Sequence, residues 1–308
     1  MISGLSPSNE QFLASLNILQ SNLSQADEQL SSGLRVNQAS DAPQSVQDIF
    51  VARAAIGQDN QTIQNLTTIQ GQVQSADGAV QTAIQLLNSA ASLGTEGANT
   101  TTSLTSQQTL SSQVQALLSQ LVSVSRTEVG GVYVFSGDAS GTPPYQVDSS
   151  SPTGVDRLIN PQQSTLQVAG PSGVTFPVSL TAQQLFDQRD ASDNPTSNNA
   201  FAALNSLAQA LQSGNQTAIT QAITVVQNVS SYVNSQTGFY GAAENQVSSA
   251  LDLAQKFQTQ DTANLSSLQD ADTASLAVQV TQASTAIDAA MSAQAHKPTT
   301  SLFDYLPI

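Results

Sequence analysis

Few residues in this 308-residue chain are of types that carry chemistry, and their spacing argues against most of it. The single histidine, His296, lies in a polar stretch just before Lys297-Pro298. A Ser-His-Asp system would place its base in a tail expected to be mobile, and a histidine metal site would need a second His at ligand spacing. A solvated ring is the expectation. There is no cysteine, which removes disulfides, thiolate metal sites and Cys nucleophiles. The richest acidic cluster is Asp187, Asp190 and Asp193 in FDQRDASDNP. A calcium loop wants oxygens at alternate positions, a Gly at the sharp turn and a closing Glu. Here Arg189 interrupts the run and Glu is missing, so a solvated loop is expected. Asp270 and Asp272 are two apart and fall on different faces of a helix. No Gly-rich phosphate loop follows a strand, and Gly137-Asp-Ala-Ser-Gly141 lacks the spacing of a nucleophile elbow. No catalytic group, cofactor or metal is expected, and the chain does not read as an enzyme.

Charge narrows the partners. Twenty-two acids face seven bases, for a net charge of −15, and charged residues make up only 9% of the chain. Most of the surface must therefore be Ser, Thr, Gln, Asn and Ala. The bases are scattered singly, at Arg35, Arg53, Arg126, Arg157, Arg189, Lys256 and Lys297. Nucleic acid and anionic membrane both select clustered Lys and Arg, so neither is an expected partner. No apolar run approaches the roughly 20 residues that span a bilayer, so membrane insertion is not expected. The start, MISGLSPSNEQF, has neither the basic nor the apolar region of a cleaved secretory signal. Cytoplasmic residence is the default unless another machine exports the chain.

Proline punctuates the elements. Seven of the 11 prolines fall between Pro143 and Pro195, and none lies between Pro43 and Pro143 or between Pro195 and Pro298. Because proline breaks helix interiors, two long helix-permissive arms are expected around an irregular or β-rich middle. The first arm opens with Phe12, Leu16, Leu19, Leu23, Ala26 and Leu30, spaced 4, 3, 4, 3 and 4. That is a heptad seam, and Gly33 fits as its C-terminal cap. A second helix is expected to start near Asp41-Ala42-Pro43, with Asp capping and Pro in the first turn, and to run through Leu66, Val73, Val80 and Leu87. A third carries Leu110, Val114, Leu117, Leu121 and Val124. The second arm opens with Phe201, Leu204, Leu207 and Leu211. After Gly238 a last long helix is expected through Leu251, Leu265, Leu276, Val280, Ala283, Ile287 and Ala290. Between the arms, residues 131–137 alternate between glycines as a strand would. Leu166–Val168 and Val174–Val178 suggest further short strands.

The expected fold is mainly α with a small β insert, a long antiparallel helical rod or coiled coil formed by both chain ends. Its expected parts are an N-terminal coiled-coil helix and bend (1–45), the N-terminal part of the rod (46–129), a β-containing outer insert (130–190), the C-terminal part of the rod (191–245) and a C-terminal coiled-coil helix (246–308). Heptads specify helical partners but not whose helices they are. The terminal seams could close on each other within one chain, as in a cytoplasmic helical adaptor, or pack between subunits of a polymer.

Two end motifs carry a family resemblance. Leu30-Ser-Ser-Gly-Leu-Arg-Val-Asn-Gln-Ala-Ser-Asp-Ala-Pro43, following a heptad helix, resembles the N-terminal signature of the bacterial flagellin superfamily. Asp270-Ala-Asp272, followed by Leu276, Gln282, Ile287 and Met291 and closing with Ser301-Leu-Phe-Asp-Tyr-Leu306, is similar to its other end. Within the superfamily, Ser40-Asp-Ala-Pro43, Tyr133-Val-Phe135-Ser-Gly137 and the Ser301–Leu306 ending resemble the hook–filament junction family more than the flagellins. Ala42 stands where that family has a second Asp, and the basic residue near Met1 is missing.

The resemblance implies a structural protein secreted through the flagellar type III channel without a cleaved signal. It implies terminal helices that form a coiled coil in the inner tube of the flagellum. It also implies self-assembly as a ring stack, with the first hook-associated protein on the hook side and flagellin on the filament side, and an export chaperone before secretion. Phe12, Leu16, Leu19, Leu23, Leu30, Leu276, Val280 and Ile287 would form the assembly seam. Arg35, Asn37 and Asp41 would shape the bend below it, and residues 130–190 would face solvent. Flagellin itself, the filament subunit, is the alternative.

Overall fold

A computed structural model of the chain describes residues 7–159 and 165–296. The ending Ser301–Leu306 lies outside the described residues. The chain divides into two compact units, one formed by Met1–Gln58 with Phe257–Ile308 and the other by Asp59–Lys256.

Seven helices dominate the described residues: α1 (Pro7–Ser32), α2 (Val46–Gly97), α3 (Leu104–Ser125), the single-turn α4 (Ala182–Leu185), α5 (Ala200–Ser213), α6 (Gln216–Gln269) and α7 (Thr273–Ala295). The mainly α architecture expected from the proline distribution is present. Two helix boundaries differ from expectation. The second helix begins at Val46 rather than beside Pro43, because the Asp41 carboxylate turns back to accept from the Asn37 and Gln38 amides at 2.9 and 2.8 Å. The last long helix does not begin after Gly238. α6 runs straight through that glycine, held on either side by fully buried Val233 and Tyr240. The interruption falls instead at Asp270–Asp272, where the Asp272 carboxylate caps α7 by accepting from the Ala274 and Ser275 amides.

The core of the Asp59–Lys256 unit is built from the seams of its helices. Leu66, Val73, Val80, Ala83 and Leu87 of α2 meet Val114 and Leu121 of α3, Phe201, Leu204, Leu207 and Leu211 of α5, and Ile219, Val226, Val229 and Val233 of α6. Gly94 and Gly97 let helices approach closely: a Cβ at Gly94 would stand 2.7 Å from Ile223, and one at Gly97 would collide with Leu211. Buried hydroxyls and amides pin the same contacts. Ser111 donates to the Ala208 carbonyl at 2.7 Å, and Gln107 donates to that of Gly97 at 2.8 Å.

Between α3 and α5 lie four separate antiparallel ladders: β1 (Glu128–Val129) with β2 (Val132–Tyr133), β3 (Tyr145–Val147) with β4 (Val155–Arg157), β5 (Gln167–Ala169) with β6 (Thr175–Pro177), and β7 (Asp187–Arg189) with β8 (Pro195–Asn199). The first hairpin turns on Gly130-Gly131, both at positive φ, as a two-residue turn of the right twist requires. The strand expected over 131–137 is only Val132–Tyr133. Beyond it the Val134 amide still donates to the Thr127 carbonyl at 3.0 Å, but Val134 and Phe135 bury, Phe135 packing edge-on against Phe186 at 5.7 Å between ring centroids. Residues 130–190 therefore do not simply face solvent. Phe135, Tyr145, Val155, Val178, Leu185 and Phe186 join the helical core, because a two-stranded ladder cannot hold itself without an apolar face to pack on.

Candidate functional site

Two places in the fold could carry function: the acidic cluster and the joined helix ends. Asp190 and Asp193 are exposed, as the solvated loop expected from sequence would have them, but Asp187 is not. Asp187 is fully buried, accepting from Arg189 Nε to both oxygens at 2.9 and 3.0 Å, from the Tyr145 hydroxyl at 2.9 Å and from Asn199 Nδ2 at 2.6 Å. Arg157 faces it at 3.8 Å and also pairs with Asp193. Arg189, which interrupts the acidic run, is the counter-ion that allows the burial, since a buried charge needs a paired and hydrogen-bonded partner. Burial, and secondarily the Asp187 charge, push the Tyr145 hydroxyl far above its ordinary value, so it stays a donor. Asp190 turns outward and accepts from the Asn194 and Ser192 amides; the Asn194 amide foremost holds its carboxyl below the usual range, against an opposing desolvation. With both arginines answered by carboxylates, this network fastens β3, β4, β7 and the start of α5 together. Among the described residues, no group of three or more His, Asp or Glu side chains is placed to hold a metal. His296 ends α7, exposed, with its ring Nδ1 2.8 Å from the Ser292 carbonyl.

The second place lies within the unit formed by the two chain ends. There α1 and α7 pack against each other. Of the seam residues named above, Leu276 is buried, Phe12, Leu16, Leu19, Leu23, Val280 and Ile287 are half-buried, and Leu30 is exposed. The terminal heptads thus meet within one chain, yet two helices alone leave much of each seam open. This unit buries six apolar side chains among its described residues, three of them alanines (Ala26, Ala42 and Ala52, with Val36, Ile49 and Leu276). It exposes eight large ones: Leu13, Ile18, Leu30, Phe50, Val51, Phe257, Val278 and Met291. Leu13 and Ile18 stand about 140° apart around α1, so they flank its seam on opposite sides. Val278 lies about 200° from Leu276, on the back of α7. One Asp, Asp288, is the sole charged residue in the 23 residues of α7. With Leu276 buried and Val278 and Met291 exposed, α7 carries apolar side chains on more than one side, among small residues and glutamines.

The bend below this pair is a joint between two chain breaks. α1 stops at Gly33, which sits at φ +72 and donates to the Gln29 carbonyl at 2.9 Å, a left-handed cap that costs glycine little. From there the connection runs beside the α6–α7 break. The Arg35 and Val36 amides donate to the Gln269 carbonyl at 2.7 and 3.3 Å, and the Ala271 amide returns to the Gly33 carbonyl at 3.0 Å. Arg35 adds its guanidinium to the Leu268 carbonyl at 2.5 Å, and Gln29 donates to the Arg35 carbonyl at 2.8 Å. Asn37 donates to the Leu34 carbonyl at 3.3 Å, and Asp41 closes the loop as described. Val36, Ala42 and Ile49 form a small apolar plug with Leu265 and Leu268. Arg35, Asn37 and Asp41 are therefore brought to one place, whereas the seam residues line the helix pair above it. Sequence reasoning missed Gln269, which is 5% exposed and accepts from Arg53 at 2.8 Å through its side chain. A glutamine in a Gln-rich chain gives no signal of its own.

Comparison with known proteins bears on this geometry. Residues 5–140 match the family described as the bacterial flagellin N-terminal helical region. Two curated relatives, each named Flagellin B and from two Helicobacter pylori strains, are 29% identical over 170 residues, covering 53% of this chain and 33% of theirs. The chain thus spans about a third of the length of the curated relatives it matches. Among solved structures, a Vibrio parahaemolyticus protein assigned as flagellar hook-associated is similar with a TM-score of 0.61 and 16% identity, over 75% of this chain and 100% of that one. Xanthomonas campestris FlgL is similar at 0.56 and 17%, over 70% and 99%. The flagellar junction protein FlgL of Legionella pneumophila is similar at 0.54 and 14%, over 66% and 99%. The fold is shared with these proteins, and the resemblance to the flagellin superfamily read from the end motifs is borne out over the N-terminal 5–140.

Proposed function

We propose that this chain is a structural subunit of the bacterial flagellum, forming the junction between hook and filament and nucleating flagellin assembly. The observation that carries the reading is the imbalance of the terminal unit, which leaves more large apolar side chains exposed than it buries. An excess of large apolar side chains left in water suits burial against partners, and apolar flanks on both sides of α1 suit neighbours on both sides. Repeating one heterologous contact generates a ring or a helical filament. Copies of the chain would stack as a ring, with the first hook-associated protein on the hook side and flagellin on the filament side. Residues 1–45 and 246–308 would supply the inner coil, 46–129 and 191–245 the rod, and 130–190 the outer insert. Export without a cleaved signal, escorted by a chaperone, accompanies this reading, and a chain without cysteine reaches the oxidising exterior with no thiols to mispair. The role is mechanical rather than catalytic.

The Flagellin B relatives favour a second reading, the filament subunit itself. A clean deletion, with electron microscopy of the cells and an assay of flagellin in the medium, separates the two. Hooks without filaments that lose flagellin to the medium support the junction. Bare hooks with no major flagellin outside make this chain the filament subunit, and intact filaments defeat both.

A further inference from the structure

The two chain breaks could each be an independent kink. Their contacts say otherwise, and those contacts converge on one residue. We propose that Gln269 is the coupling residue of the joint, locking the α1–α2 connection, the second turn of α2 and the α6–α7 break into a single unit, so that α1 and α7 change direction only as a pair.

The geometry that carries this is local. The Gln269 carbonyl, at the last residue of α6, would be an orphan helix-end acceptor. It is answered from the other connection by the Arg35 and Val36 amides. The Gln269 side-chain oxygen accepts from Arg53 Nη2 at 2.8 Å, two turns into α2. One residue later the Asp270 amide still bonds back to the Ser266 carbonyl, and the next, Ala271, donates across to Gly33. Main chain and side chain of one buried residue thus tie its own break to two other segments, and a bridge between Leu34 and Asp270 runs alongside. Arg53 is the only base among the described residues of α2. Its place opposite a buried amide gives a charge-assisted hydrogen bond, the stronger kind. A rod that must transmit a bend from subunit to subunit needs such a joint to be stiff, and in that respect the inference rests on the flagellar reading above.

The test reads the joint itself and then its use. Amide hydrogen exchange is followed in the full-length chain and in Gln269→Ala, Arg53→Gln, the double variant and Gln269→Glu. With the side-chain link gone, the Arg35, Val36 and Ala271 amides are expected to exchange at least about tenfold faster, and together, the size of one lost charge-assisted bond. The double variant should be no worse than either single one, and Gln269→Glu, which keeps the acceptor, should restore protection. Additive losses, loss at one connection only, or unprotected amides in the unaltered chain would overturn the proposal. In cells, filaments on Gln269→Ala hooks should shed under shear while Gln269→Glu filaments hold. Normal motility with a loosened joint would overturn the mechanical role of the coupling. Intact filaments in the deletion strain would instead remove the flagellar reading and leave the exchange result standing.

Discussion

If the exposed apolar residues of the terminal unit serve assembly, polar replacement should separate two properties that usually fail together. Phe50 is 64% exposed and Val278 55%. Fully burying a side chain of this size is worth about 1.5–3 kcal/mol, and roughly three-fifths of that remains to be gained at each position. The pair Phe50→Gln with Val278→Gln therefore removes about 2–3.5 kcal/mol from an assembly that covers both residues. At about 1.4 kcal/mol per factor of ten, the critical concentration for self-assembly should rise some 30- to 300-fold. Full coverage is assumed, so about tenfold is the least the reasoning permits. In the free chain the same pair should be almost silent, because exposed substitutions change stability by about 0.5 kcal/mol or less. Gln is also as good a helix former as most. The assay is sedimentation of assembled material across a concentration series, beside thermal unfolding of the free chain followed by circular dichroism. An unchanged critical concentration, or a free chain destabilised as strongly as the assembly, would refute the reasoning.

Other consequences follow from the larger unit. Asp187→Ala leaves two arginines facing a buried void and should cost about 3–5 kcal/mol, read as a lowered urea midpoint, whereas Asp187→Asn should cost less because it keeps an acceptor. Gly97→Ala should destabilise by about 1–3 kcal/mol through overpacking against Leu211 despite the better helix propensity of Ala, and a raised midpoint in urea would contradict that contact. The raised value of the Tyr145 hydroxyl means that its contribution is fully present below the free-tyrosine value of about 10 and is lost as pH rises beyond it. Alkaline titration should show this phenolate appearing only as the chain unfolds, together with that of buried Tyr240, and Tyr145→Phe should shrink that step by one tyrosine. Asp148 and Asp190 have lowered carboxyl values, set respectively by the Ser150 hydroxyl and the Asn194 amide. Their contributions are present above the ordinary Asp range and fade as pH falls through the lowered values. An NMR titration should find both below free aspartate, and ordinary values would deny those loop hydrogen bonds.

How much was legible in the sequence depended on the range of the interaction. Heptads at Phe12–Leu30 and Leu276–Ala290 declare helices and their apolar faces, because periodicity is a local property of the helix. Gly33 declares a terminus for the same reason, since a left-handed cap needs only its own turn. Strands at 167–169 and 175–177 announced themselves through β-branched and aromatic residues between turn signals. The flagellin-like end motifs carried a family resemblance, matched by comparison over residues 5–140, because they pack many such local choices into a fixed order.

Other features depended on groups distant in the chain. Asp41 reads equally well as a helix cap or a loop closure, and the backbone amides it finds decided between them. Gly238 reads as a break, but buried neighbours at Val233 and Tyr240 carried the helix through. Asp187 reads as a wet acid until Arg157 arrives from 30 residues upstream and Tyr145 from 42. The seams prescribed helical partners without saying whose, and tertiary packing brought α1 onto α7. Gln269 carries no signal in composition, period or motif. It matters only because its carbonyl and its amide meet segments more than 200 residues away. Periodicity and turn chemistry are written residue by residue, whereas the pairing of buried polar groups is a property of positions that only the folded chain brings together.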